Sequence, residues 1–398
     1  MNKRIIATAL AGLVAFAMVG CSNSGGAGGT TSTSNPPASG TSTTASSSSK
    51  GIPNCGTIGV AMPNKTSSRW VADGNAVKSQ LEALGCTVDL QYAADDIPTQ
   101  TQQLDQMITN GVKLLIIASI DGTALTAQLQ AAADKGIKVI AYDRLINGTP
   151  NVDFYVTFDN YKVGVAQAKS LLYGLKLTDK DGNPAADAPK GPIDIELFAG
   201  AADDNNSGFF FNGAMDTLKP YLDNGTLVVK SGQTKFEQVA TERWLLINAQ
   251  TRMDNLLSST YGGNGAGLKG VLAPYDGLSR GIINALTNVG MGPTIPEGLP
   301  IVTGQDAEIE SVALINKDIQ FSTIFKDTRK LAAQAVTVAQ AYLTGGTPTP
   351  NDTKTYNNGK KVVPSFLLDV DTVNKDTIKP LLIDSGYWTQ AQVDAGQA

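Results

Sequence analysis

The sequence predicts an α/β protein made of two doubly wound parallel-sheet lobes. Three observations lead there. From Gly56 onward, apolar strand segments alternate with amphipathic helical ones. Strand runs such as Lys113–Ala118 are continuously apolar, the pattern of strands covered by helices on both faces. Finally, one strand after another ends in acidic, basic or amide residues, the place where open α/β sheets receive ligands.

Taken in order, strand Thr57–Met62 is expected to lead into a helix from Ser68, with Trp70, Val77, Leu81 and Leu84 on one face and Gly85 as its stop. Strand Thr87–Tyr92 precedes a helix beginning near Pro98, where proline suits a first turn. After strand Lys113–Ala118 and a helix carrying Leu125 and Leu129 comes strand Ile137–Tyr142, which delivers Asp143-Arg144 at its carboxyl end. A fifth strand, Asp153–Phe158, ends in Asp159-Asn160. Each unit reads as a right-handed βαβ crossover.

A second series follows. A helix over Lys162–Gly174 and a polar surface insertion, Thr178–Pro189, precede strand Ile193–Phe198, which ends at Asp203-Asp204-Asn205-Asn206. Strand Thr226–Lys230 then leads into a long helix, Phe236–Leu257, containing Arg243-Trp244. Strands Gly270–Pro274, Pro300–Thr303 and Phe321–Phe325 end at Tyr275-Asp276, Gln305-Asp306 and Lys326, and an Ala-rich helix spans Thr328–Leu343.

Composition bounds the chemistry. A chain of 398 residues is too long for one ordinary core. Apolar content of 42% with 17% charged residues is that of a globular protein. The net charge of −5 argues against nucleic acid as a partner, since phosphate neutralisation needs a basic surface. With no histidine, Ser-His-Asp and Cys-His catalysis are excluded and the commonest zinc ligand is lost. A carboxylate-based hydrolase stays possible on composition alone; the sequence as a whole leads to the expectation of a monomer that is not an enzyme and needs no cofactor or metal.

The first 20 residues carry a basic start and an apolar stretch, Ile5–Val19, too short for a typical membrane span. Met18-Val19-Gly20-Cys21 resembles a bacterial lipobox, in which the cysteine is diacylated and becomes the new N-terminus; an ordinary signal peptide is the alternative. Residues 21–52 are dominated by Ser, Thr and Gly and read as a disordered tether, because they bury too little apolar surface to offset their ordering entropy. The expected location is outside the cytoplasm, with the chain held to the cytoplasmic membrane's outer face by lipid alone. Cys55 and Cys86 precede strands expected to be neighbours. Parallel strands run about 4.8 Å apart, so a Cys55–Cys86 disulfide is predicted, at the end of the sheet away from the ligand.

The strand ends combine Arg69-Trp70, Asp143-Arg144, Asp204 with Asn206, Tyr275-Asp276, Asp306 and Lys326. Carboxylates and amides accept hydrogen bonds, Arg and Lys donate them, and Trp offers a flat apolar face. A pyranose needs all three. Each residue also has a plainer role open to it: helix capping for Asp203–Asn206 and Asp306, core packing for Trp70 and Trp244.

The stretches Ser68-Arg69-Trp70, Asp95-Asp96-Ile97-Pro98, Ile117–Gly122, Ala141-Tyr142-Asp143-Arg144, Thr157–Asn160, Asp203–Asn206, Ser231-Gly232-Gln233, Gly304–Glu308 and Ile324–Thr328 resemble the bacterial periplasmic sugar-binding proteins of the type I fold, in particular the multiple-monosaccharide-binding and xylose-binding types. The resemblance implies a substrate-binding protein that passes an aldose to ABC importer permease subunits. It implies sugar contacts from Arg69, Asp143 and Arg144 on one lobe and from Asp204, Asn206, Trp244, Asp306 and Lys326 on the other and the hinge. The xylose-binding type has Asn where this chain has Tyr275, with Asp276 the adjacent candidate. It implies a three-segment hinge near Phe158, Lys326 and Thr353, so that 53–158 and 327–352 form the N-terminal lobe and 159–326 and 353–398 the C-terminal one. Competing readings are a sugar sensor for chemotaxis or two-component signalling and a carboxylate glycosidase using Asp143, Asp204 or Asp306. Basic and amide neighbours should lower the pKa of these aspartates and make them poor general acids.

Overall fold

The computed structural model describes residues 51–398. Cys21, and with it the expected lipid anchor and most of the tether, lies outside the described residues.

The chain runs β1 (Thr57–Met62), α1 (Ser68–Ala83), β2 (Thr87–Tyr92), α2 (Ile97–Thr109), β3 (Leu114–Ile117), α3 (Thr126–Asp134), β4 (Lys138–Tyr142) and β5 (Phe154–Phe158). It continues with α4 (Asn160–Gly174), β6 (Ile193–Leu197), α5 (Asn205–Asp223), β7 (Leu227–Val229), α6 (Phe236–Val239), α7 (Leu246–Thr260), β8 (Leu268–Leu272), α8 (Asp276–Asn288), β9 (Ile301–Val302) and α9 (Ile309–Asn316). The last elements are β10 (Thr323–Phe325), α10 (Thr328–Leu343), β11 (Ser365–Leu368), β12 (Asp371–Val373) and α11 (Gln390–Ala395). One sheet has six strands in the order β11-β5-β4-β3-β1-β2, another has four in the order β7-β6-β8-β9, and β10 pairs with β12 separately. Every pairing in the two larger sheets is parallel, whereas β10–β12 is antiparallel.

Side-chain alternation explains the double winding. Ile58, Val60 and Met62 of β1, with Leu114 and Ile116 of β3, pack under α1 and α10. The intervening Ala61, Leu115 and Ile117 pack on the opposite face, with Leu104 and Met107 of α2 and Leu129 of α3. The four-stranded sheet repeats the scheme: Ile195 and Leu197 face α4 and α5, while Val271 faces α7 and α8. Helices α4 and α5 meet backbone to backbone. A Cβ on Gly164 would lie 1.9 Å from the Phe210 carbonyl oxygen, and one on Gly213 would lie 2.1 Å from that of Tyr161. Only glycine permits that approach.

Cys55 and Cys86 stand at the amino ends of β1 and β2, joined sulfur to sulfur with Cα atoms 4.9 Å apart.

Two expectations need correction. Phe236–Leu257 is not one helix: α6 ends at Val239, a 3₁₀ turn covers Glu242–Trp244, and α7 starts at Leu246. Ala240 (φ −60°, ψ 141°) is extended and Arg243 (φ 52°, ψ 20°) left-handed, which breaks the α-helical ladder. The chain also does not leave the first sheet near Thr353. Strand β11 pairs with β5, and Asn351 and Asp352 bond to Ser365, so the segment through Leu368 stays with that sheet. From β12 onward, Val373, Ile378, Leu382 and Val393 pack with Ile309 and Val312 of α9.

Candidate functional site

The carboxyl ends of both large sheets border one cavity of about 350 Å³, a size usual for small-molecule sites. Its lining includes Arg69, Trp70, Asp143, Arg144, Asp204, Asn206, Trp244, Tyr275, Asp306 and Lys326, each of them a candidate from the sequence. Asp276 does not line it.

The centre of the cavity is a charge cluster. Arg69, in the first turn of α1, places Nη2 2.5 Å from Asp143 Oδ2, Nε 2.9 Å from Asp73 Oδ2 and Nη1 3.8 Å from Asp306 Oδ1. Lys326, just past β10, sets Nζ 3.0 Å from Asp306 Oδ1 and 3.7 Å from Asp143 Oδ2. All four of Arg69, Asp143, Asp306 and Lys326 are buried. Burial alone would raise the Asp143 pKa. The cations Arg69 and Lys326, the hydrogen bond from Arg69, and Arg144 outweigh it and hold the group well below the usual carboxylate range.

A second pair spans the sheets. Arg144 Nε lies 3.2 Å from Asp204 Oδ2, while its Nη1 donates to the Ser119 and Ile120 carbonyls. Asp204 caps α5 by accepting from Asn206 N at 3.0 Å, and it accepts from Trp244 Nε1 at 3.2 Å. Capping and a place in the cavity therefore coexist in one residue. Its pKa goes up, contrary to the expectation for all three aspartates, because burial outweighs Arg144 and the Asn206 backbone N–H. Asn206 Nδ2 donates to the Asp143 carbonyl at 2.8 Å, and its Oδ1 accepts from Tyr155 and Asn160, which fixes the orientation of the amide.

The aromatic faces are held by different means. The Trp70 ring lies under two guanidinium groups, Arg69 at 4.6 Å and Arg144 at 5.3 Å from its centroid. Trp244 reaches the cavity from the 3₁₀ turn, edge-on to Phe210 and Tyr275. Its ring rests on Gly200, where a Cβ would stand 1.9 Å from the indole. Five non-glycine residues with left-handed backbone line the cavity: Asp95, Asp143, Arg243, Trp244 and Asp306. Each such residue costs on the order of 1–3 kcal/mol, and strain of this kind collects at ligand sites.

Tyr275 donates to Glu308 Oε1 at 3.0 Å, and Arg280 holds the other oxygen at 2.8 Å. Asp276 is fully buried and points away, accepting from the backbone N–H groups of Gln305 and Glu308 and from Gln320 Nε2. It therefore shapes the loop that presents Asp306. Burial, then the nearby Glu308, pushes its pKa well up. Glu308, rather than Asp306, is the cap residue of α9.

Sequence reasoning missed several participants. Asp73 lies one helical turn after Arg69 and is fully buried, so i, i+4 spacing was its available signal. It also accepts from Tyr142. Burial raises its pKa to about 7 in spite of Arg69 and that hydrogen bond. Asn64, Asp95, Asp203 and Arg243 form part of the cavity wall, and no motif pointed to the last.

A periplasmic binding protein domain profile matches residues 58–347. The chain is 54% identical over 338 residues to the multiple sugar-binding periplasmic receptor ChvE of Rhizobium radiobacter, covering 85% of this chain and 92% of that one. It is 34% identical over 336 residues to the D-xylose-binding periplasmic protein of Escherichia coli, covering 84% and 92% respectively. Among solved structures, an ABC transporter solute-binding protein of Clostridium phytofermentans with bound β-D-glucose superposes with a TM-score of 0.78 at 46% identity, covering 85% of this chain and 99% of that one. A two-sheet parallel α/β fold with its polar strand ends on a shared cavity, and similarity of this extent, place the chain in the periplasmic binding protein family.

Proposed function

We propose that this protein is an extracytoplasmic substrate-binding component that captures one aldose, such as xylose, glucose, galactose or arabinose, and delivers it to an ABC importer. The carrying observation is the buried cluster in which Arg69 and Lys326 bridge Asp143 and Asp306, with Trp70 and Trp244 also lining the cavity. Alternating cations and carboxylates can donate to and accept from each hydroxyl of a sugar ring, and indole faces suit its C–H bonds. A hydrogen bond to a charged partner contributes about 1.5–3 kcal/mol net, so several suffice for micromolar binding after ordering costs. The sugars named for the relatives support the same ligand class.

Arg69, Trp70, Asp143, Arg144, Asp204, Asn206, Trp244, Asp306 and Lys326 are the proposed contacts, with Tyr275 on the wall and Asp276 behind it. The two sheets close on the sugar by hinge rotation about the crossing segments. Asp143 is held ionised, which suits binding rather than acid catalysis, and Asp204 is already engaged by Arg144 and Trp244. Acylation of Cys21 would keep the monomeric body at the membrane, beside its permease. The Cys55–Cys86 bond would form after export. Loss of fatty-acid labelling in a Cys21→Ser variant tests the anchor.

A thermal-shift panel tests the ligand class. Binding stabilises by RT ln(1 + [L]/Kd), about 2.7 kcal/mol at a hundredfold excess over Kd. One or more of the four aldoses should raise the melting temperature, and disaccharides should leave it unchanged; release of products from aryl glycosides would contradict the binding reading. A signalling role beside transport is a second reading, favoured by the relative named as a receptor.

A further inference from the structure

Trp244 enters the cavity from a turn in which two successive residues, Arg243 (φ 52°) and Trp244 (φ 58°), are both left-handed. Neither residue type favours that region, and such backbone persists only where surrounding contacts over-determine it. On the Trp244 side those contacts are Gly200 beneath the ring and the bond to Asp204. On the Arg243 side the contact reaches across to the other sheet. Arg243 Nη1 donates to the carbonyl oxygen of Asp95 at 2.9 Å. Asp95 follows β2, and with Ala94 it forms a second left-handed pair, φ 58° and 52°. Asn64 Nδ2 steadies the Asp95 carboxylate, 2.9 Å from each oxygen. Two strained turns, one carried by each sheet, thus meet through one charged hydrogen bond at the cavity rim.

We propose that Arg243 is a positioning residue for ligand retention. Its bond to the Asp95 carbonyl forms as the sheets close and holds the Thr241–Leu245 turn in the form that sets Trp244 against the sugar. The inference rests on the sugar-binding reading of the cavity. When the cleft opens, the Asp95 carbonyl moves out of reach, the turn loses one of its supports, and the indole is free to leave. The latch therefore exists only in the closed form and acts on release of the ligand, leaving encounter almost unchanged.

Stopped-flow tryptophan fluorescence on the full chain, with D-glucose and D-xylose as probes, reads both rates. Arg243 is exposed and its bond lies at the solvent edge, so Arg243→Ala should raise the dissociation rate about threefold and leave the association rate unchanged. Arg243→Lys, which keeps a charged donor, should recover part of the loss. Arg243→Gly accepts the left-handed backbone but has no donor, so it should behave like the Ala variant. A dissociation rate in Arg243→Ala equal to that of the unmodified protein, or a Gly variant that releases as slowly, overturns the proposal.

A sugar-independent arm uses spin labels at Gln102→Cys and Thr251→Cys, both exposed, on α2 and α7. Without sugar, Arg243→Ala should deplete the short-distance, closed population that the latch stabilises, and a short-distance population undiminished by the substitution overturns the latch. If the unmodified protein binds neither sugar, the functional reading fails for these ligands, and the label distances still decide the role of Arg243.

Discussion

Asp143 and Asp306 follow strands of different sheets, yet one ammonium group holds both: Lys326 Nζ lies 3.7 Å from the first and 3.0 Å from the second. The cluster is buried, so its charges must be compensated within the cavity. Removing Lys326 leaves two carboxylates with Arg69 as their shared cation. Lys326→Met should destabilise the fold by about 3–5 kcal/mol, the cost of breaking a buried pair on one side, and should abolish aldose binding. Urea midpoints and calorimetric titration check the two effects separately.

Gly200 is an independent handle on Trp244. Its φ lies outside the left-handed region, so alanine there strains no backbone, but the new methyl group would overlap the indole. Gly200→Ala should displace Trp244, weaken aldose binding at least about tenfold, and cost about 1–3 kcal/mol or less in stability, as overpacking does. Dissociation constants set beside melting curves distinguish that outcome from general unfolding.

Asp73 makes stability depend on pH. Its carboxyl has a folded pKa of about 7, against about 3.9 in an unfolded chain. Between those values the native state holds a proton that the unfolded state has released, so stability falls as pH rises through this window and levels off above it. Asp204 and Asp276, also raised by burial, act in the same direction. Asp143 is lowered and acts oppositely, its contribution being lost as pH falls below the ordinary carboxylate range. Asp73→Asn should therefore flatten the decline between about pH 4 and 7 without abolishing it. Denaturant midpoints across that range measure the slope.

The Cys55–Cys86 bond spans a sequence separation of 31 and lies at the amino ends of β1 and β2, opposite the cavity. Reduction, or a Cys55→Ser, Cys86→Ser double variant, should cost about 3–4 kcal/mol in the chain-entropy picture. Aldose affinity should stay within about twofold, because no cavity residue depends on the bond. Melting curves with and without reductant, each with and without sugar, check both statements.

The legible parts of this molecule were those fixed by local pattern. Continuously apolar strands such as β3 announced a sheet covered on both faces, and the polar residues after β4, β6, β9 and β10 announced the cavity. What escaped depended on partners remote in sequence. Apolar spacing across Phe236–Leu257 could not reveal the break at Trp244, because the indole is seated by Gly200 and Asp204. Asp276 looked like a cavity residue from its place after β8, but three donors from the Gln305–Gln320 region turn it inward. Strand β11 is four residues long, and only its pairing with β5 shows that it belongs to the first sheet.

The most direct measurement is isothermal titration of D-glucose and D-xylose into the unmodified protein and into Asp143→Asn and Asp306→Asn variants. The account predicts one sugar per chain for the unmodified protein, with affinity reduced at least about tenfold in both variants, as expected when a charged hydrogen-bond partner is lost. Tight binding that survives both substitutions would show that the sugar sits elsewhere and would contradict it.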